Sequence, residues 1–254
     1  MPLTMETYLI LLPLVFFAGF VDSVAGGGGL ISLPAYLFVG LPIHFAYGTN
    51  KMAASFGTAI AVGQFGKNGH IRLKPALISA VGAIIGGWIG AQLVMMLAAE
   101  TVQIMMMICL PIVAVFMLTK KRLGSDENHF IEPKKENIIC AVIGIVIGMY
   151  DGLFGPGTGT FLLMSFTTFL GYSMVTATAN AKVVNLASNV GALVTYIIGG
   201  KVLYAIGIPC IISAALGNFI GSRMAIKKGS RFIRPVMTFV ILGLFVKILL
   251  DFFR

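Results

Sequence analysis

The chain has 254 residues, of which 58% are hydrophobic and 11% charged, against about 25% charged in an ordinary soluble domain. Too few polar side chains remain to cover a water-facing surface of that size, which excludes a soluble globular fold. The net charge of +9 would hint at nucleic acid in a soluble protein. Here the basic residues gather in a few short loops without a basic, aromatic-interleaved patch, so they read as membrane topology and no nucleic acid is expected.

In chain order, apolar stretches fall at 7–24, 30–40, 46–66, 75–99 and 101–119. The polar loop Lys120–Glu136 follows, and then 137–154, 159–171, 174–199, 202–224 and 232–250. Runs of about 20 apolar residues can cross a bilayer as helices. The first stretch lacks a basic flank and a clear cleavage site, so it reads as a retained span rather than a removed signal. The expected fold is an all-α polytopic membrane protein, with residues 1–254 as one membrane domain in the cell (cytoplasmic or inner) membrane. Cys109, Cys140 and Cys210 are widely spaced, with no C-x-x-C. Neither a structural disulfide nor a zinc site follows from them, and no metal or cofactor is expected.

The second half repeats the first. Asp22 maps to Asp151 at an offset of 129, as do Gly26 to Gly155 and Gly28 to Gly157. After a shift of two, Lys51 maps to Lys182, and Gly69, Gly86 and Gly90 map to Gly200, Gly217 and Gly221. This sets a first repeat at 1–119, a linker loop at 120–136 and a second repeat at 137–254. Paired repeats with interrupted segments at matching positions are a transporter signature. Three loops carry the positive charge: 67–74, the central loop, and 225–234. Placing all three in the cytoplasm requires the short pieces 30–40 and 159–171 to complete a passage. That parity gives five passages per half, inverted halves and both termini outside, with the broken helices meeting near the bilayer midplane.

Two features carry chemistry. The first is the pair of glycine-rich breaks, Gly26 to Gly29 after Asp22 and Gly155-Pro156-Gly157-Thr158-Gly159 after Asp151. Glycine costs about 1 kcal/mol and proline about 3 kcal/mol inside a helix, and irregular backbone at membrane depth survives only in protein or beside a watery cavity. Helices restarting after such breaks offer free N–H groups to an anion. The alternative is a pair of hinges that only let helices pack closely.

The second feature is charge inside the spans. Residues 1–66 hold only Glu6, Asp22 and Lys51, and residues 137–199 only Asp151 and Lys182. A charge at the bilayer centre costs at least about 2.5–3.5 kcal/mol. Lys182, Asn185 and Asn189 fall on one helix face, with Lys51, Ser55 and Thr58 as a weaker equivalent. Lys51 and Lys182 are the expected cationic contacts for an anion. Asn50, Asn180, Asn185, Thr158 and the backbone around Gly27, Gly28 and Gly157 are the expected hydrogen-bond donors. The alternative is that each lysine snorkels or pairs with an aspartate purely to hold the fold. The four charges sum to zero, so an arriving anion leaves the site negative. Proton uptake by Asp22 or Asp151 would restore balance and couple the two movements; otherwise each aspartate caps its glycine turn. Gly82, Gly86 and Gly90 read as a ladder for close helix packing.

DSVAGGGGLISLPAY at 22–36, GTNKMAASFGT at 48–58, DGLFGPGTGTF at 151–161, NAKVVNLASN at 180–189 and the Gly200–Lys201 pair resemble the TauE/SafE family of sulfite and organosulfur anion exporters. The resemblance covers both halves and implies export of a small inorganic or organosulfur anion across the cytoplasmic membrane. It does not specify which anion. The bilayer and that anion are the expected partners, and a homo-oligomer is compatible with the fold. No P-loop is present, so the chain carries no ATPase of its own. A passive anion channel is the competing reading, and an intramembrane enzyme lacks a nucleophile–base pair in the spans.

Overall fold

A computed structural model describes residues 4–108, 133–233 and 235–236. Among the described residues are the helices α1 Met5–Ala25, α2 Gly29–Phe38, α3 Ile43–Lys67, α4 Leu73–Met96, α5 Ala99–Ile108, α6 Pro133–Leu153, α7 Thr158–Leu170, α8 Met174–Ile198 and α9 Tyr204–Lys228, and helical residues resume at 230. Five of them, α1, α4, α6, α8 and α9, are long and apolar enough to cross a membrane. Most of the expected span at 232–250, most of 101–119 and most of the 120–136 loop lie outside the described residues.

Glycine sets the breaks. α1 stops where Gly26 turns left-handed at φ 77° and donates its N–H to the Asp22 carbonyl at 2.8 Å. Gly155 and Gly157 both sit at φ 83°, a region other L-residues rarely enter. α2 and α7 then restart with 10 and 13 residues, roughly 15 and 20 Å at 1.5 Å per residue, well short of a bilayer.

Contacts fix the direction of each leg. α1 runs beside α9 in the same sense: Tyr8 donates to the Ala205 carbonyl at 3.1 Å, Ser213 donates to the Leu12 carbonyl at 2.5 Å, and Gly217 and Gly221 lie on Phe16 and Phe20. α6 runs beside α4 in the same sense, from Ser79 donating to the Cys140 carbonyl at 2.8 Å through Gly86 on Ile145 to Gly90 on Leu153. α2 folds back along α1, with Gly28 against Ala18 and Asp22. α7 returns to the start of α6, where the Tyr172 hydroxyl donates to Glu136 at 2.7 Å and Arg72 pairs with Glu136 at 2.9 Å. Burial and that carboxylate push the Tyr172 hydroxyl well above its ordinary range. Loop 67–74 therefore meets the end of the central loop at one end of the bundle.

The glycine ladder of α4 does what its spacing predicts, and α6 answers it with Gly144, Gly148 and Gly152 against Ser79, Ala83 and Gly87. Small residues on both sides let the backbones approach closely. The opposite faces are apolar and exposed: Leu77, Val81 and Trp88 on α4, Val142 and Val146 on α6, and Ile208, Ile212 and Leu216 on α9. Such a surface suits lipid rather than water.

Candidate functional site

The two breaks touch. Gly26 and Gly159 meet backbone to backbone, so that a methyl group on either would overlap the other's main chain. Thr160 donates its hydroxyl to the Ala25 carbonyl at 2.8 Å, satisfying one acceptor that the end of α1 leaves open.

Beside this contact the charges pair across the halves. Lys51 of α3 meets Asp151 of α6 at 2.6 Å, both side chains 3% exposed. Lys182 of α8 meets Asp22 of α1 at 2.8 Å, with exposures of 1% and 15%. Neither lysine snorkels. The turn amide of Gly26 bonds the main-chain carbonyl of Asp22 rather than its side chain, whereas the Asp151 carboxylate accepts from the Thr158 hydroxyl of its own break. Each carboxylate is also held by a lysine. Removing one partner of a buried pair costs about 3–5 kcal/mol, since the remaining charge is stranded.

The pairs differ in their surroundings. An ammonium has three donors, and Lys51 places all three: on the Asp151 carboxylate at 2.6 Å, on the Asp151 main-chain carbonyl at 2.9 Å, and on Asn189 Oδ1 at 2.9 Å. The Asp151 carboxylate also accepts from Thr158 at 2.9 Å and from Ser188 at 2.7 Å. Lys182 and Asp22 share one bond, and among the described residues no other hydrogen bond reaches either side-chain charge.

Lys51 also orients a chain of amides. A lysine only donates, so Asn189 must turn its oxygen toward it, which points the Asn189 NH₂ at Asn185 Oδ1, 3.3 Å away. Asn185 has thereby committed its oxygen and keeps its own NH₂ for whatever lies beyond. What lies beyond is a cavity of ≈ 50 Å³ lined by Asp22, Asn50, Lys51, Asp151, Thr158, Asn185, Asn189 and Asn218, with Gly26, Gly28, Gly29 and Gly159 as its floor. At roughly 10–15 Å³ per water, it has room for about four water-sized groups.

Of the predicted residues, Asn50, Lys51, Asn185, Thr158, Gly28, Asp22 and Asp151 line this cavity. Lys182 stands behind Asp22 rather than in the wall. Gly27 and Gly157 belong to the breaks but do not line it; Gly27 accepts from the Leu30 amide at 3.1 Å. Asn180 is elsewhere, donating to the Thr176 carbonyl at 2.7 Å, with its own oxygen buried and unpartnered. Sequence reasoning missed Asn218 of α9, whose NH₂ donates to the Ala214 carbonyl at 3.0 Å and whose oxygen is buried without a partner. Its signal was an amide inside a span; it has no polar counterpart in the first repeat, where Gly87 stands.

A cavity lined by Asp22, Lys51 and Asp151 beside two broken helices, in a bundle with five helices long and apolar enough to cross a membrane, defines a multi-pass membrane protein. No solved structure matches this chain. The chain belongs to the sulfite exporter TauE/SafE family, which it matches over residues 11–248. It is 35% identical to the probable membrane transporter protein ORF9 of Sinorhizobium sp. over 93% of this chain and 90% of that one. It is 34% identical to the probable membrane transporter protein YfcA of Escherichia coli K12 over 95% and 91%. A probable membrane transporter protein of Haemophilus influenzae is 29% identical over 99% and 98%. The protein is a membrane transporter, not an enzyme.

Proposed function

We propose that the protein is a secondary transporter that exports a small sulfur-containing anion, such as sulfite or an organosulfonate, across the cytoplasmic membrane. The observation that carries this reading is the cavity itself: the ion pairs and an Asn185 amide with a donor to spare converge where two helices restart, and helix starts favour negative charge. Its size favours a compact anion, since sulfite has four heavy atoms. Inverted halves fit the same picture. The hairpin of α1 and α2 opens from one end of the bundle and that of α6 and α7 from the other, which supports five passages per half with 67–74 and the central loop on the cytoplasmic side. Proton coupling through Asp22 or Asp151 follows from the neutral charge count. The test is counterflow in proteoliposomes loaded in turn with sulfite, sulfate, thiosulfate and sulfoacetate. A carrier exchanges labelled substrate against an opposing load and a passive channel does not; failure to exchange any of the four overturns the proposal.

A further inference from the structure

The two ion pairs occupy equivalent positions in the two repeats, so their neighbours can be compared one by one. Thr158, which donates to Asp151, corresponds at the offset of 129 to Gly29. Ser188, which donates to Asp151, corresponds at the later offset of 131 to Gly57. Asn189, which accepts from Lys51, corresponds to Thr58, whose hydroxyl is buried without a partner. All three struts of one pair are absent from the other. The space that a side chain at Gly57 would fill is taken by the Asn218 amide. As a result Asp22 is the carboxylate with residual exposure, and it stands between the cavity and Lys182.

We propose that the pairs have divided the work: Lys51–Asp151 is a fixed tie, and Lys182–Asp22 is the exchangeable pair, in which the transported anion replaces the Asp22 carboxylate on Lys182. Asp22 is then a built-in competitor for the anion. It keeps Lys182 neutralised while the site is empty and yields one hydrogen bond when the anion arrives. The corresponding step at Lys51 would have to pull away a carboxylate that two hydroxyls also hold, from a lysine whose other two donors are already taken by the Asp151 main-chain carbonyl and Asn189. A single bond to an ionised group is worth about 1.5–3 kcal/mol, so the exchange favours the weaker pair steeply. This inference rests on the anion reading above.

The competition gives an unusual signature. Asp22→Asn removes the competitor and leaves Lys182 unpaired, so anion affinity should rise by roughly tenfold or more while export falls. Purified full-length protein is titrated calorimetrically with sulfite, sulfate, thiosulfate and sulfoacetate, and melted with and without each. Expected is tighter binding by Asp22→Asn, with a melting temperature that drops in the empty protein and is recovered by the bound anion. Asp151→Asn should lose stability that no anion recovers and gain no affinity. Should it fail to fold, Ser188→Ala removes one strut and should melt lower with wild-type affinity. Unchanged or weaker binding by Asp22→Asn, or tightening by Asp151→Asn or Ser188→Ala, overturns the assignment while leaving the anion site standing. If the wild type binds none of the four anions, the anion reading falls and this inference falls with it.

Discussion

Gly159→Ala is a sensitive probe of the contact between the breaks, because two effects of opposite sign meet there. Intrinsically, alanine favours a helix over glycine by about 1 kcal/mol, and Gly159 is the second residue of α7 with no left-handed φ to hold it. Sterically, the new methyl would sit 2.8 Å from the Gly26 carbonyl oxygen and nearer still to its Cα, where ordinary contact begins at 3.4 Å. Both neighbours are main chain, and the nearer, the Gly26 Cα, lies 2.4 Å away, so α7 must retreat by roughly 1 Å. Overpacking of this kind costs about 1–3 kcal/mol. The retreat also stretches the 2.8 Å bond from Thr160 to Ala25 beyond good geometry, adding about 0.5–1.5 kcal/mol. The steric side wins, and the variant should melt several degrees lower and lose most of its counterflow. Gly63→Ala is the control: nothing lies within 4 Å of its added methyl, so it should be neutral or slightly stabilising. A Gly159→Ala protein that melts at or above the wild-type temperature with full counterflow would refute the argument that backbone contact between the breaks holds the site.

The other expected outcomes follow from the charges. Lys182→Ala should abolish counterflow with membrane insertion intact, because it removes the proposed exchangeable cation, and should melt lower because it strands Asp22; near-normal uptake would make that lysine structural. Lys51→Ala should cost about 3–5 kcal/mol of stability, read as loss of folded protein in thermal melts, since it strands Asp151 and releases the Asn189–Asn185 orientation. A cysteine at Asp126 should be labelled only from the cytoplasmic side, and labelling from outside intact cells would sink the five-passage topology.

Much of the helix content could be read directly, because glycine and proline stop helices for reasons local to the chain. The stretch at 30–40 became Gly29–Phe38, that at 159–171 became Thr158–Leu170, and that at 174–199 became Met174–Ile198. The candidate charges were legible too, since so few exist at membrane depth. Their pairing was not. Nothing in the spacing of Lys51, Asp22, Lys182 and Asp151 says whether each lysine meets the aspartate of its own repeat or of the other; separations of 100 and 160 residues are closed by the way α3 and α8 cross between the hairpins. Asn180 illustrates the same limit. It sits two residues before Lys182, about 200° around the helix at 3.6 residues per turn, and so belongs to a different face from Asn185 and Asn189. The position of Asn218 depends on α9 packing against α1 and α3, with Gly19 and Gly57 leaving room for its amide, and no local pattern encodes that.

The neutral charge count bears on how such a site can both hold and release its cargo. Two lysines left bare beside the cavity would bind an anion tightly, but each empty cycle would expose buried, uncompensated cations at several kcal/mol apiece. Two fully tied pairs would be stable when empty and indifferent to any anion. On the proposed reading, one tied pair and one loose pair avoid both extremes: Lys51 and Asp151 would hold the amide chain in place whatever the occupancy, and Asp22 would return to Lys182 as the anion left. A repeat that kept both halves identical could not do this, because strengthening one pair would strengthen the other equally. Gly29 and Gly57 stand on the Asp22 side where the other repeat has hydroxyls, which is the asymmetry the proposed anion site requires. Restoring a donor there, for instance by Gly29→Ser, whose Cβ would meet the Pro156 main chain at 3.3 Å and so needs a shift of a few tenths of an ångström, should tie Asp22 down and weaken anion binding.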